Sequence, residues 1–146
     1  MSVDRLFIDE DDKNLYEVLK REFGSAERMS NKDAFLLAMA VGFKNGVKEK
    51  IKRKFGYVRN EYLKSEDRTL LDAIAVNTIE KIDVLMDDDE VFKIAEEYAH
   101  AGIRLLADEI KASSFGSFTK KFEKELFELL KEINKDSEYE EEISSS

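Results

Sequence analysis

Apolar residues recur with helical spacing along most of this chain. Leu15, Tyr16, Val18, Leu19 and Phe23 follow the acidic run Asp9-Glu10-Asp11-Asp12. The first turn of a helix leaves backbone N–H groups unpaired, and carboxylates stabilise it there. A first helix is therefore predicted over about 11–23, with Gly24 as its stop. Ser30 and Asp33 have capping-box spacing ahead of the apolar stretch Ala34 to Phe43. A segment apolar on every side predicts a central, buried helix. Inside it, Ala34, Ala38 and Gly42 form a small-residue stripe at four-residue spacing, which lets a neighbouring helix come close. Ser65 is placed as the cap of a third helix, with Leu71, Ile74, Ala75, Thr78 and Ile82 along one face. Asp87 to Glu90 open a fourth, which runs to about Ala112 and buries Val91, Ile94, Ala95, Tyr98, Gly102 and Leu105. A last helix starts at Gly116-Ser117 and carries Phe122, Leu126, Leu129, Leu130 and Ile133.

Two stretches break this rhythm. After the Asn45-Gly46 break, Val47 to Lys54 suits one or two helical turns. Tyr57, Val58, Tyr62 and Leu63 favour strand and Gly56 interrupts helical spacing, so one short strand or extended arm is expected near 55–63. The fold class is all-α: a compact bundle of about five helices around the central apolar helix at 31–44. Residues 1–135 form a single helical domain. From Asp136 onward there is no basic residue, and 136–146 is expected to be a disordered acidic tail.

Composition narrows the setting. Apolar residues make up 42% of the chain, enough for a core, and charged residues 39%, against roughly 25% in an ordinary domain. That balance suits helices with heavily charged outer faces. With no cysteine there is no disulfide and no thiol chemistry, which fits a reducing cytoplasm. The N-terminus lacks the basic-then-apolar order of a signal peptide. The longest apolar run is half of the roughly 20 residues a membrane span needs. A cytoplasmic protein with no membrane partner is expected.

Charge is the feature most suggestive of function. The chain carries −9 in all, yet Lys44 to Arg59 holds seven basic residues and one acid, a local +6. Overall acidity suppresses non-specific binding to polyanions, so any nucleic-acid contact must be local. Lys48, Lys50, Lys52, Arg53, Lys54 and Arg59 are the candidate phosphate contacts, with Phe55 or Tyr57 available to pack on sugar or base. The plainer alternative pairs this segment with Asp87 to Glu90 or with the acidic tail. Exposed pairs of that kind contribute only about 0–1 kcal/mol each and do not call for clustering.

Catalytic chemistry has little to stand on. Glu97 and His100 have the Glu-x-x-His spacing of di-metal bundles, but such sites need two of these pairs and this chain has one histidine. At 100° per residue from Tyr98, both side chains fall on the solvent side with Lys93 and Arg104. An all-helical, metal-dependent nucleotide pyrophosphatase would need paired acids from two helices facing one cavity. Here the acids gather at helix starts and on polar faces. No Gly-rich phosphate loop and no nucleophile elbow occurs. No catalytic residue, cofactor or metal is expected.

Three blocks resemble a known family. They are Val3-Asp4-Arg5-Leu6-Phe7-Ile8, the stretch Asn31 to Gly46, and Phe92-Lys93-Ile94-Ala95-Glu96-Glu97-Tyr98-Ala99-His100-Ala101-Gly102-Ile103. Together they are similar to the small DNA phosphorothioation-associated proteins of bacteria and archaea, of the "associated protein 4" type. The resemblance spans about residues 3–110 and leaves the last helix and the acidic tail outside. It implies a non-enzymatic accessory protein of a DNA modification or defence system, acting through DNA, protein partners or both, and it carries no catalytic residues across. A reading from a different class is a helical interaction module, with the Ala34–Ala38–Gly42 stripe building a homodimer or larger homo-oligomer.

Overall fold

The computed structural model describes residues 4–22, 29–112 and 124–133. Strand β1 (Arg5–Asp9) and a 3-10 turn (Glu10–Asp12) lead into helix α1 (Lys13–Glu22). Helix α2 (Asn31–Lys44), strand β2 (Lys54–Arg59), helix α3 (Ser65–Ile79) and helix α4 (Asp88–Ala112) follow, with 3-10 turns at Asn60–Tyr62 and Ile82–Met86. Residues 124–133 are helical and are termed α5. The protein is thus mostly helical, as its periodicity implies, with one small sheet added. The proposed cap at Gly116-Ser117 and the acidic tail lie outside the described residues.

Helix boundaries follow local chemistry. Ser30 Oγ accepts the Asp33 N–H at 3.1 Å and caps α2 as its sequence implies. At α3, Ser65 is the first helical residue rather than the cap. The Asp67 carboxylate accepts the Lys64 N–H there at 2.8 Å. Helix α3 stops at Ile79 because Glu80 takes a left-handed conformation, φ 62°. Ile82 therefore leaves the apolar face assigned to it and stands in the following turn, 72% exposed. The segment 47–53 is an irregular loop, not a helical turn. The Val47, Glu49 and Lys52 N–H groups bond the Gly42 carbonyl, the Glu97 carbonyl and Asp9 Oδ2 instead of carbonyls four residues back.

Strand β1 has no counterpart among the predicted elements. Its alternation rests on two core residues, Leu6 and Ile8, too few to register as a period. Its partner β2 lies some forty-five residues away and runs antiparallel to it, Leu6 opposite Val58 and Ile8 opposite Phe55. The register shifts between Leu6 and Phe7, so that Tyr57 is passed over on β2. The strand anticipated near 55–63 is β2 itself, one residue earlier at its start.

Helix α2 is buried from Ala34 to Gly42 except at the half-buried Leu36, as its apolar composition requires, and packs on α4. The contact is backbone on backbone. A Cβ placed on Gly102 would sit 1.8 Å from the Ala38 carbonyl oxygen, and one on Gly42 would sit 2.1 Å from that of Tyr98. The small-residue stripe is therefore taken up within the chain. Helix α4 also touches α1, α3 and β1, which makes it the hub of the fold.

Candidate nucleic-acid interface

Being a hub changes the outer face of α4. From Ile94 to His100 every residue is buried, and His100 is only 3% exposed. The sequence reading that put Glu97 and His100 in solvent is wrong. Strand β1, the Glu10–Asp12 turn and loop 45–53 lie over that face. A helical wheel counts angles and contains no information about what covers them.

The covered face holds an acid–histidine cluster. His100 Nδ1 lies 2.5 Å from Asp12 Oδ2 and Nε2 lies 3.8 Å from Asp9 Oδ2. Arg104 reaches Asp12 at 3.6 Å and Glu49 at 3.5 Å. Burial raises the Asp12 pKa, and the hydrogen bond to His100 and the nearby Arg104 oppose this without cancelling it. Burial also works against the Asp9 carboxylate. There, N–H groups of Lys52, Asp11 and Arg53, aided by His100, outweigh it and hold the carboxyl below its ordinary range. Glu96 is pushed up to about 7 by burial, with the Phe7 N–H and Lys54 opposing. Its Oε2 accepts that N–H at 2.7 Å, tying β1 to α4.

This cluster anchors the basic loop. Lys52 donates its backbone N–H to Asp9 Oδ2 at 2.9 Å, and Arg53 accepts the Glu10 N–H at 2.8 Å. Further back, Glu49 donates to the Glu97 carbonyl at 3.0 Å and Val47 to that of Gly42 at 2.9 Å. Because main-chain groups face inward, the long side chains face out. Lys48, Lys50, Lys52, Arg53, Lys54 and Arg59 are all exposed. Arg53 pairs with Asp11 at 2.7 Å and Arg59 with Glu61 at 3.5 Å. Among the described residues, Lys48, Lys50, Lys52 and Lys54 have no carboxylate partner. Asp88 is held by Arg68 instead, and among the described residues no ion pair joins the Asp87–Glu90 run to the basic segment.

Two further lysines join this surface that sequence inspection did not select. Lys13 Nζ stands 4.0 Å above the Phe55 ring and Lys20 Nζ 5.4 Å from that of Tyr57. Lys54 in turn lies 5.5 Å from the Phe7 ring. Phe55 is 37% exposed, whereas Tyr57 packs on Tyr16 with ring centroids 4.8 Å apart. The available signal was the seven-residue spacing of Lys13 and Lys20, which sets both on one side of α1. The sheet edge and loop thus present alternating lysines and aromatic rings.

Other features lie elsewhere. A cavity of about 750 Å3 opens between α2, α3 and α5, lined by Leu36, Leu37, Leu70, Leu126 and Leu130 and by none of the basic segment. Among the described residues, no three His, Cys, Asp or Glu side chains are disposed to hold a metal ion. No described helix is long and apolar enough to cross a membrane.

A family model described as DNA sulphur modification system-associated protein 4 matches residues 5–146. The chain belongs to this family. The match takes in α5 and the acidic tail, so the likeness is wider than the span of about 3–110 that the three sequence blocks mark. No curated protein and no solved structure matches the chain. Membership associates the protein with a DNA sulphur modification system.

Proposed function

We propose that the protein is a non-enzymatic accessory component of its DNA modification system and contacts DNA through loop 45–53 and strand β2. One observation carries this reading. Lys48, Lys50, Lys52 and Lys54 are exposed and lack carboxylate partners among the described residues, on a loop whose backbone is fixed by Asp9 and Glu97. A fixed loop loses little conformational freedom on binding, so its charge is preorganised. Lys13, with Phe55 beneath it, extends the surface toward a ring on which a sugar or base can pack.

Fluorescence anisotropy with duplex and single-stranded DNA tests this. Four phosphate contacts give a slope of about −3.6 in log K against log salt on duplex, so affinity falls roughly 100-fold between about 50 and 200 mM salt. Reversing Lys48, Lys50 and Lys52 to Glu removes most of that slope. Absence of binding at about 50 mM salt, or an unchanged slope in the triple variant, rejects the reading. The homo-oligomer alternative draws less support, since Ala38 and Gly42 already face α4.

A further inference from the structure

A second surface differs in chemistry. After Glu80 turns the chain, the 3-10 segment Ile82–Met86 buries only Val84. Ile82 is 72% exposed and Met86 90%, and Ile79 and Leu85 are 38% and 37% exposed. Four large apolar side chains thus stand in solvent within eight residues. Clustered apolar exposure of this kind marks interaction surfaces more often than scattered single residues do. The turn is held in place by Val84, and the Val91 N–H bonds the Asp87 carbonyl at 3.1 Å. Beside it a groove of about 240 Å3 runs between Phe43, Ile74, Val76, Ile82, Leu85 and Ile133.

The surroundings specify the occupant. Residues 79–90 contain six acids and one base, Lys81. Glu80, Asp83, Asp87 and Asp89 are exposed, while Asp88 is engaged by Arg68. An apolar strip rimmed by carboxylates is complementary to a strip flanked by lysines and arginines. The chain's own segment after Ile133 is a poor match, because from Asp136 it carries acids and no base. The basic loop binds α4 at Glu97 to Arg104, at least nine residues from Asp88, so the two surfaces are separate along that helix.

We propose that Ile79, Ile82, Leu85 and Met86 form a docking surface for a basic amphipathic helix of another protein. The proposal is independent of DNA contact. With both surfaces in use, the protein is an adaptor that brings a basic partner segment to DNA.

The probe is a fluorescent helical peptide of leucine and lysine, titrated against the full chain. An isomorphous leucine–glutamate peptide serves as control. The lysine peptide should bind, the glutamate peptide should not, and two variants should each weaken binding by about ten-fold or more. The first is Ile82→Ser with Met86→Ser, which removes apolar area. The second is Glu80→Lys with Asp83→Lys, which reverses the rim. All four positions are exposed, so the variants should keep the wild-type melting temperature and circular dichroism. Equal binding by wild type and either variant overturns the proposal, as does equal binding of both peptides. Self-association in sedimentation that the Ile82→Ser, Met86→Ser variant abolishes assigns the surface to a second copy and also overturns it. Binding that appears only after truncation beyond Ile133 assigns it to the chain's own tail, with the same result. Triple reversal at Lys48, Lys50 and Lys52 should leave peptide affinity unreduced, which separates failure here from failure of the DNA reading.

Discussion

Replacing Gly102 with alanine is the sharpest test of the core. A Cβ at that position lies 1.8 Å from the Ala38 carbonyl oxygen and 2.8 Å from the Gly42 nitrogen. Both obstructing atoms are backbone, so no rotamer change relieves the contact. The two helices must separate by about 1.5 Å to restore van der Waals distance, and neighbouring side chains then lose contact. Overpacking of this kind costs about 1–3 kcal/mol, and more where the backbone cannot yield. Alanine regains about 1 kcal/mol through its better helix propensity. With the cost at the upper end of that range, because both obstructing atoms are backbone, the net expectation is destabilisation by about 2 kcal/mol, a large share of the 5–15 kcal/mol typical of a domain. Urea unfolding followed by circular dichroism reads this as a midpoint lowered by about 1–2 M. Gly56→Ala is the matched control. Its Cβ would sit 2.9 Å from Cδ of Arg5, an exposed side chain that can swing aside, so the midpoint should barely move. An unchanged or raised midpoint for Gly102→Ala refutes the close backbone contact, since propensity alone predicts a gain.

Other predictions concern the buried charges. Glu96, with a pKa near 7 in the fold against 4.5 unfolded, binds more protons folded than unfolded between those values, so its contribution to stability declines as pH rises through that window. Glu96→Gln should therefore raise the melting temperature more at pH 8 than at pH 5, and an identical shift at both pH values would falsify the assignment. Asp9 behaves oppositely: its depressed pKa means stability present at neutral pH and lost as pH falls through the acid range, and Asp9→Asn should flatten that acid limb of a stability–pH curve. His100→Ala leaves the buried Asp12 carboxyl without its closest hydrogen-bond partner, with Arg104 still beside it, and should cost about 1–3 kcal/mol; a loss under about 0.5 kcal/mol in urea unfolding would show that the pair is not integral.

The candidate surface was partly legible in sequence. The charge contrast pointed to Lys48 through Arg59, and all six named side chains are exposed. What anchors them was not legible. Asp9 and Asp12 look like acids favouring a helix start, and Asp9 Oδ1 does accept the Asp11 N–H at 3.0 Å there. Its other oxygen binds Lys52, forty-three residues away, and no local pattern encodes that bond. Lys13 and Lys20 look like ordinary outer residues of an amphipathic helix until β2 brings Phe55 and Tyr57 against them.

By itself the sequence determined the helices. Periodicity, caps and left-handed stops act within a few residues, so α2 and α4 stand where apolar spacing, Ser30 and the Asp87–Glu90 run place them. Tertiary structure decided everything that depended on which surface meets which. It paired β1 with β2, directed the small-residue stripe inward against Gly102, and covered the polar side of α4 so that Glu96, Glu97 and His100 became interior groups. The physical reason is the range of the interactions. Helix formation is closed by bonds four residues apart. Burial, and with it the charge state of Glu96, depends on elements nearly ninety residues away in the chain.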